Sequence, residues 1–278
     1  MASEGIGVKH LDGSRHPWSK NGMKVVSLVP SWTEMLISLG VNVVGRTRFC
    51  IHPEDSTSSI AVVGGTKDLN MEKLASLQAD LLILDQEENL PWMQEKSPIP
   101  TLVTHITSIA DVNREIEKMR PFLTEHSGAL QELAQRWQNL SSRKAVWDWQ
   151  QIPGEMACLK KTQSQYRQLV YVIWKNPWMR IAPGTFISSV LENLGASDFL
   201  VKSEKKYPEF RFEDFDLSTT YFLFSSEPFP FHQKKSELLQ ASVEGSIVDG
   251  ESYSWFGLRS LKFLEDFHSR PSAGSVAY

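Results

Sequence analysis

Short apolar runs alternate along this chain with amphipathic stretches of helical spacing. Residues 24–29 (KVVSLV) are apolar and rich in β-branched side chains, as is typical of a buried parallel strand. A helix is predicted next, because Ser31 or Thr33 can cap its start, Glu34 completes a capping box with Ser31, and Gly40 ends it. Further apolar runs predict strands at 41–45, 81–84 and 100–104, with a helix over 71–80. This order predicts a Rossmann-like lobe around a parallel sheet.

The same alternation starts again after a long helical region. Residues 109–144 are predicted to be helical with a break near Pro121, and the part after the break carries a single apolar stripe. Strands at 168–174, 221–225 and 246–250 and helices at 185–195 and 260–267 follow. We therefore predict an α/β fold in which two Rossmann-like lobes with parallel central sheets are joined by one long backbone helix. The predicted division is a flexible arm over 1–22, an N-terminal lobe over 23–122, a connecting helix over 123–146, a C-terminal lobe over 147–268 and a flexible tail over 269–278.

Two internal matches indicate a duplicated βα unit. TEMLISLGVNVVG (33–45) resembles FISSVLENLGASDFL (186–200), and NMEKLASLQADLLIL (70–84) resembles RFEDFDLSTTYFLFS (211–225). In the second pair an acidic residue is followed by an apolar helical stripe and then a strand, and Glu72 and Glu213 occupy equivalent places. Matches this short also arise when two βα units obey the same physics, so both explanations stay open.

Composition and charge remove several classes of function. The 278 residues carry 29 Lys and Arg against 33 Asp and Glu, a net charge of −4, and no dense basic cluster, which argues against a nucleic-acid partner. Two cysteines do not make a disulfide framework. No apolar stretch reaches the roughly 18–20 residues of a membrane span, and residues 1–22 lack a signal-peptide pattern. We expect a cytoplasmic location for the chain as written, or a periplasmic or cell-surface one if an export signal lies outside it.

Aromatic residues in loops are the strongest indication of a ligand. The chain has nine Trp and 14 Phe, and several fall after predicted strands, including Trp32, Phe49, Trp178 and Trp255. Rings held in such loops offer a large contact area to a flat or bulky apolar ligand at a low entropic cost. Each ring taken singly fits equally well as cover for a lobe core, but the set favours a ligand cleft at the carboxyl ends of the strands.

Metal and catalytic motifs are weak by comparison. Cys50 and His52 have a C-x-H spacing, but no matching Cys/His pair occurs elsewhere, which makes a metal site the minor alternative. Cys50 could instead be an axial ligand to a metal that a cofactor already holds. Asp85, Glu87 and Glu88 follow a strand end and could act as acid and base, although solvated loop carboxylates are the commoner explanation.

A set of ordered segments resembles a known family. KVVSLVPSWTEMLISLG, VVGGTKDLNMEKLASLQADLLIL, PGTFISSVLENLGASDFL, YPEFRFEDF, SSEPFPF and VDGESYSWFGLR occur in this order. Together they are similar to the helical-backbone metal-receptor family, the substrate-binding proteins of ABC importers for cobalamin, haem and ferric siderophores, and most of all to its cobalamin-binding type. The resemblance covers residues 23–268.

The resemblance implies a class III periplasmic-binding-protein-like fold that clamps a ligand between two lobes. The residues expected to line the cleft are Pro30, Ser31, Trp32, Phe49, Trp178, Tyr207 and Trp255. Glu72 and Glu213 match the two surface glutamates, one per lobe, with which such proteins meet arginines of the importer; each alone would also suit a solvated acid at a helix start.

This chain departs from the family pattern in three ways. No signal-peptide pattern or lipoprotein cysteine is recognised in residues 1–22, Thr66 and Asp85 stand where tryptophans are expected, and the basic segment at 154–167 is longer than expected for the family.

The expected function is non-enzymatic binding of a bulky metal-containing cofactor for delivery to an ABC permease. Cobalamin is the first candidate and haem or a ferric siderophore the second, bound non-covalently by a monomer that does not span the membrane. One rival is a cytosolic sensor or carrier with no importer. The other is a hydrolase or metal-dependent enzyme that uses Asp85, Glu87 and Glu88.

Overall fold

The chain folds into two compact units, each built around its own five-stranded sheet. The computed structural model describes residues 22–240 and 243–270. Unit 1 comprises residues 22–106 and 111–136, and unit 2 comprises the remaining described residues, 107–110 and those from 137 onward. The arm predicted over 1–22 lies outside the described residues except for Gly22, and of the tail predicted over 269–278 only Ser269 and Arg270 are described.

Unit 1 contains a fully parallel sheet with strand order β3-β2-β1-β4-β5. Because helices cover both of its faces, the central strands are apolar along their whole length, and every residue of β1 and β4 is buried. The elements up to the connecting region are β1 (Val25–Ser27), α1 (Pro30–Ser38), β2 (Val43–Thr47), α2 (Glu54–Thr57), β3 (Ala61–Gly64), α3 (Met71–Ser76), β4 (Leu81–Asp85), α4 (Pro91–Glu95), β5 (Thr101–Thr104), α5 (Ile109–Met119) and α6 (Ser127–Ser141).

Unit 2 contains a mixed sheet with strand order β6-β10-β9-β7-β8. Its three inner strands run parallel to one another, whereas β6 and β8 pair antiparallel at the two edges. The elements are β6 (Glu155–Lys160), β7 (Gln168–Trp174), β8 (Met179–Arg180), α7 (Phe186–Asn193), β9 (Thr220–Ser225), α8 (Lys235–Gln240), β10 (Gly245–Val248), α9 (Gly250–Ser254) and α10 (Leu258–Ser269). Short 3₁₀ turns occur at Thr124–His126, Ser197–Phe199, Phe212–Asp214 and Phe231–Lys234.

The core of unit 2 is dominated by phenylalanine. Phe222 and Phe224 of β9 are fully buried, and their rings lie 6.2 Å apart with nearly parallel planes. Phe210 and Phe231 pack against them from the loops on either side. Many of the rings that the sequence contains in excess are therefore used for packing, since each buries a large apolar area.

The connecting helix α6 occupies 15 residues within the range predicted for it. It runs from residues of unit 1 into residues of unit 2. A side chain binds the backbone at its end: Asn193 Nδ2 donates to Leu140 O in the last turn and to Arg143 O, two residues beyond the helix, both at 2.9 Å. Together with the hydrogen bond from Arg143 N to Leu140 O at 3.0 Å, this contact fixes the backbone where the helix ends.

Three local predictions are wrong. Helix α1 begins at Pro30 with Val29 as its N-cap and no capping side chain, so neither Ser31 nor Thr33 caps it; the fixed φ of proline suits this first helical position. The helical stripe predicted after Glu213 is only a 3₁₀ turn, because the Asp216 carboxylate accepts from Ser218 N and Oγ and holds a loop there. The predicted sheet of unit 2 also lacked β6 and β8, whose antiparallel pairing makes that sheet mixed. The prediction that Gly40 follows the end of α1 agrees with its φ of +79°.

None of the helices within residues 22–240 and 243–270 has the length and apolar character needed to cross a membrane.

Gly195 provides a test of how tightly unit 2 is packed at the end of α7. Its φ is +94°, and a Cβ placed there would lie 2.5 Å from both Ala145 O and Trp147 N. We expect Gly195→Ala to lower the free energy of unfolding by about 2–4 kcal/mol, measured by urea denaturation, because a strained φ and a backbone clash add together. The matched control is Gly128→Ala in α6, where nothing lies within 4 Å; it should raise stability by about 0.5–1 kcal/mol. Equal effects of the two substitutions would contradict the packing described.

Candidate functional site

The carboxyl edge of the unit 1 sheet carries an exposed apolar surface. Because all five strands are parallel, their following loops leave at this one edge. Phe49 and Ile51 follow β2 and are each 50% exposed, and Leu90 follows β4 and is 37% exposed. These are all the exposed large apolar side chains of unit 1 among its described residues. Apolar side chains so confined to one edge are typical of a binding surface.

Phe49 is held in place by a neighbouring charge pair. The Arg48 guanidinium lies 5.1 Å from the centroid of the Phe49 ring. Arg48 also makes a two-pronged ion pair with Asp68, at 3.0 and 2.6 Å, which joins the loop after β2 to the loop after β3. The predicted ligand ring Phe49 is therefore both exposed and supported.

Pro30, Ser31 and Trp32 are placed differently from their prediction. All three are buried in the first turn of α1, and Trp32 has no exposed surface. The Trp32 indole N–H donates to Thr104 Oγ1 at 3.0 Å. Because the helix starts directly after the strand, these side chains pack inside the protein, and in this structure they offer no surface to a ligand.

Asp85 has a structural environment rather than a catalytic one. Its Oδ2 accepts from Thr104 Oγ1 at 2.7 Å and from Ile106 N at 3.2 Å, and its Oδ1 accepts from Glu87 N at 2.9 Å. Burial raises the pKa of Asp85 to about 6, while the hydrogen bond from Thr104 opposes that rise. With its lone pairs already used by loop donors and no exposed surface, Asp85 is poorly placed as a general base.

The two glutamates of the same loop lie nearer the surface. Glu87 Oε1 contacts His105 Nε2 at 3.1 Å, and Lys67 Nζ donates to Glu87 O at 3.3 Å. Glu88 is half-buried. Asn89 closes the loop, since its amide donates to Leu28 O and Thr66 O. Of the acids proposed for the enzymatic rival, Asp85 and Glu87 are thus bound into a loop framework.

Cys50 is a buried thiol with hydroxyl partners. Thr33 Oγ1 donates to its Sγ at 3.2 Å, and Thr47 Oγ1 lies 3.1 Å away. Burial raises the pKa of the Cys50 thiol, which disfavours the thiolate that a metal would need. No group of three or more His, Cys, Asp or Glu in the described ranges could hold a metal ion. The idea that Cys50 is an axial ligand is therefore not supported by its surroundings. Cys158, by contrast, is exposed on the edge strand β6.

Unit 2 presents rings at the carboxyl end of β7 and on the loop beside β8. Trp174, the last residue of β7, is 39% exposed, and Tyr207 is 40% exposed. The loop that carries Tyr207 is anchored by backbone bonds from Ala182 N to Lys206 O and from Arg180 N to Pro208 O. Tyr207 was predicted as a ligand residue, and it is available as one.

Trp178 is half-buried and serves mainly as a packing residue. Its ring stacks on Phe231 at 5.8 Å with an interplanar angle of 4°, and Phe212 meets it edge-on at 5.0 Å. The Lys175 ammonium lies 5.4 Å from its centroid. The exposed part of Trp178 still belongs to the loop after β7.

Trp255 is nearly buried, and its indole donates to a carboxyl group whose pKa is raised. Its indole N–H donates to Glu227 Oε1 at 2.7 Å, and Ser254 Oγ donates to the same atom at 2.8 Å. Burial raises the pKa of Glu227 to about 7, and the nearby charge of Glu251 adds to the rise. Trp255 is 7% exposed, so in this structure it supports the loop after β10 rather than forming a ligand surface.

Glu72 and Glu213 lie at corresponding points of the two units. Each is exposed, in the first turn of α3 and in the 3₁₀ turn Phe212–Asp214 respectively. Each turn comes shortly before an inner strand, β4 or β9. Their side chains are therefore accessible to a partner.

The sequence reasoning missed Ile51, Leu90 and Trp174. A usable signal was present, because each lies at the end of a strand of the parallel set or within five residues after it. Attention to aromatic residues alone passed over the aliphatic members of this surface.

Comparisons with known proteins agree with this architecture. A family model described as periplasmic binding protein matches residues 25–217. Among curated proteins, no sequence matches this chain significantly.

Solved structures with the same fold cover nearly the whole chain. One is the periplasmic vitamin B12 binding protein BtuF of Vibrio cholerae, with 17% identity, a TM-score of 0.64, and coverage of 90% of this chain and 96% of that one. Another is the periplasmic haem-binding protein HutB of Vibrio cholerae, with 16% identity, a TM-score of 0.63, and coverage of 89% and 98%. A third is an ABC transporter substrate-binding protein from Listeria monocytogenes EGD-e, with 12% identity, a TM-score of 0.64, and coverage of 89% and 98%. The predicted fold class is confirmed.

The raised pKa of Glu227 predicts that the stability of the protein depends on pH. Since its pKa rises from 4.5 to about 7 on folding, the folded state binds the extra proton between these values. The stability that this group contributes is therefore full below about pH 4.5 and is lost as the pH rises through 7, by about 1–3 kcal/mol. Urea unfolding at about pH 4.5, 6 and 8 should show this decline in the wild type and a smaller one in Glu227→Gln, which keeps an acceptor for Trp255. Glu209→Gln, at an exposed acid, should behave as the wild type. The same pH dependence in all three proteins would exclude Glu227 as its source.

Proposed function

Because this chain belongs to the periplasmic binding protein family, as its resemblance to the helical-backbone metal receptors predicted, we propose that it binds a bulky metal-containing cofactor non-covalently and delivers it to an ABC importer. Cobalamin is the first candidate ligand, and haem or a ferric siderophore is the second. Family members with this fold include proteins described as binding vitamin B12 and haem, which supports this choice of ligand class.

One observation carries the proposal. The exposed large apolar side chains of unit 1, within its described residues, all lie on loops at the carboxyl edge of its sheet, namely Phe49, Ile51 and Leu90. Ligands of open α/β sheets bind at this edge. Protein surfaces without a binding role rarely expose several large apolar side chains together in one place.

Unit 2 supports the same interpretation through two exposed rings. Trp174 and Tyr207 are exposed on backbone that is anchored by strand pairing and by loop hydrogen bonds respectively, so little entropy is lost when they contact a ligand. Contact with a large cofactor removes apolar area from water at about 25 cal/mol per Å², and only what remains after the costs of association appears as affinity. Binding by apolar area suits a bulky macrocycle better than it suits a small polar solute.

Binding also fits the residues better than turnover does. Asp85 and Glu87, which the enzymatic rival would need, hold the loop after β4 through hydrogen bonds. The proposed role of Phe49 and Tyr207 is to contact the ligand, and that of Trp32 and Trp255 is to fix the loops around them.

Glu72 and Glu213 are proposed as the docking residues for the importer. Both are exposed, and each lies at the beginning of a short helical turn. Paired charges of this kind set the register and the association rate of a complex more than its affinity.

The ligand proposal is tested by titration with cobalamin, haemin and ferrichrome. We expect one of them to change the visible spectrum and to quench tryptophan fluorescence with a Kd below about 100 μM. Phe49→Ala and Tyr207→Ala should each weaken that binding about tenfold, because each removes part of a half-exposed ring from the contact. The control is Leu217→Ala, whose similarly exposed side chain lies before β9 rather than after a strand. Failure of all three compounds to bind, or equal weakening by the control, would refute the proposal.

The docking proposal separates binding from delivery. The double charge reversal Glu72→Lys with Glu213→Lys should leave the ligand Kd within about twofold of the wild type, because neither residue is among those proposed to contact the ligand. Uptake of the radiolabelled ligand by cells that depend on this chain should fall at least about tenfold. Glu132→Lys, at an exposed acid of α6, serves as the control and should retain uptake. Normal uptake with the double reversal would assign docking to other residues.

A further inference from the structure

A cavity lies in unit 2 near the ends of the three helices α6, α7 and α10. Its volume is about 590 Å³, within the range of small-molecule sites. It is bordered by the segment after α6, by Leu194 at the end of α7, and by Phe267 and Arg270 at the end of α10. None of the candidate residues at the carboxyl edge of the sheet lines it.

The cavity lies near the amino ends of the unit 2 strands, at the opposite end from Trp174, the last residue of β7. Helix α7 connects β7 to the parallel strand β9, so it runs back along the sheet and ends near the amino ends of the strands. Helix α10 ends beside it, since His268 Nε2 contacts Asn193 Oδ1 at 2.7 Å. A ligand here would not share contacts with one bound at Trp174 or Tyr207.

The walls of the cavity are fixed by the fold. Asn193 ties the end of α7 to the carbonyls of Leu140 and Arg143. Gly195 allows the backbone of residues 145–147 to approach so closely that a Cβ would have no room. The cavity is therefore preformed, which lowers the cost of ordering it around a ligand.

The lining combines an apolar wall with an excess of positive charge. Trp147, Ile152, Leu194 and Phe267 form the apolar part. Beside them Val146 is 90% exposed, the most exposed large apolar side chain among the described residues.

The charged groups give this cavity its polarity. Lys144 and Arg270 line it, against the single carboxylate of Asp148, which already accepts from Gln150 N at 2.8 Å. Burial and the nearby Arg143 lower the pKa of His268, so that imidazole adds no charge near neutral pH. The indole N–H of Trp147 is buried and has no hydrogen-bond acceptor among the described residues. Two cations against one engaged carboxylate favour a ligand that brings an anionic acceptor.

We propose that this cavity is a second ligand site of the protein, specific for a small amphipathic anion with an aromatic or branched aliphatic body and one carboxylate. The apolar body packs on Trp147, Ile152 and Phe267. The carboxylate lies toward Lys144 and Arg270, where charge-assisted contacts are available. The site is independent of the proposed cofactor surface, so the protein can hold both ligands.

The test compares a charged probe with a neutral one of the same shape. Calorimetric titration of the full chain with 2-naphthoate should give a Kd below about 1 mM, and 2-naphthalenemethanol should bind about tenfold more weakly or worse. In the double variant Lys144→Gln with Arg270→Gln, 2-naphthoate should bind only as weakly as the alcohol. The matched control is Lys262→Gln with Arg167→Gln, which removes two exposed cations outside the cavity and should bind 2-naphthoate within about twofold of the wild type.

Four results would overturn this proposal. The first two are equal affinities for the acid and the alcohol in the wild type, and absence of binding up to several millimolar. The third is unchanged affinity for 2-naphthoate in the Lys144 and Arg270 double variant. The fourth is loss of 2-naphthoate binding in Phe49→Ala, which would place the probe at the carboxyl edge of the unit 1 sheet. Sedimentation supplies one further test: a dimer that 2-naphthoate dissociates would also overturn the proposal, because it would identify a second copy of the chain as the natural occupant of the cavity.

Discussion

A buried chain of hydrogen bonds runs from the Trp32 indole through the Thr104 hydroxyl to the Asp85 carboxylate. It connects the first helix of unit 1 to the ends of β4 and β5, and Asp85 extends it to the backbone of Glu87 and Ile106. Inside the protein each of these polar groups would be costly if left unpaired. The loops at this edge of the sheet are therefore held in one arrangement, and the exposed side chains on them are presented on a stiff base.

In unit 2, too, buried residues fix the loops and other side chains on those loops are exposed, but the residues are different. There Glu227 accepts from Trp255 and Ser254 and ties the loop after β9 to the segment after β10, while Tyr207 and Trp174 remain exposed. In both units a tryptophan that looked like a ligand contact is a buried donor to an oxygen acceptor. The exposed rings are the ones whose backbone is secured by neighbours. A protein that must recognise a large rigid molecule gains affinity from this preorganisation, since little is spent on ordering loops.

The sequence predicts the βα units well, because runs such as KVVSLV and LLILD have no stable place except inside a sheet covered on both faces. It does not predict β8, because that strand is only two residues long and depends on pairing with β7. It also does not predict β6, an edge strand that pairs with β10 on one side and faces solvent on the other, so that its residues are exposed or only half-buried. Phe49 was recognisable as a ligand residue because it follows a strand directly. Trp32 and Trp255 were not recognisable as packing residues, because their partners Thr104 and Glu227 are 72 and 28 positions away along the chain.

The two cysteines have opposite surroundings, and this has a practical consequence. Cys50 is enclosed between two threonine hydroxyls with its thiol kept protonated, whereas Cys158 stands exposed on an outer strand. The unmodified protein therefore carries one addressable attachment point for a maleimide dye or a spin label, on β6 at the edge of the unit 2 sheet. A reporter placed there would follow the protein through ligand titrations without any engineered substitution.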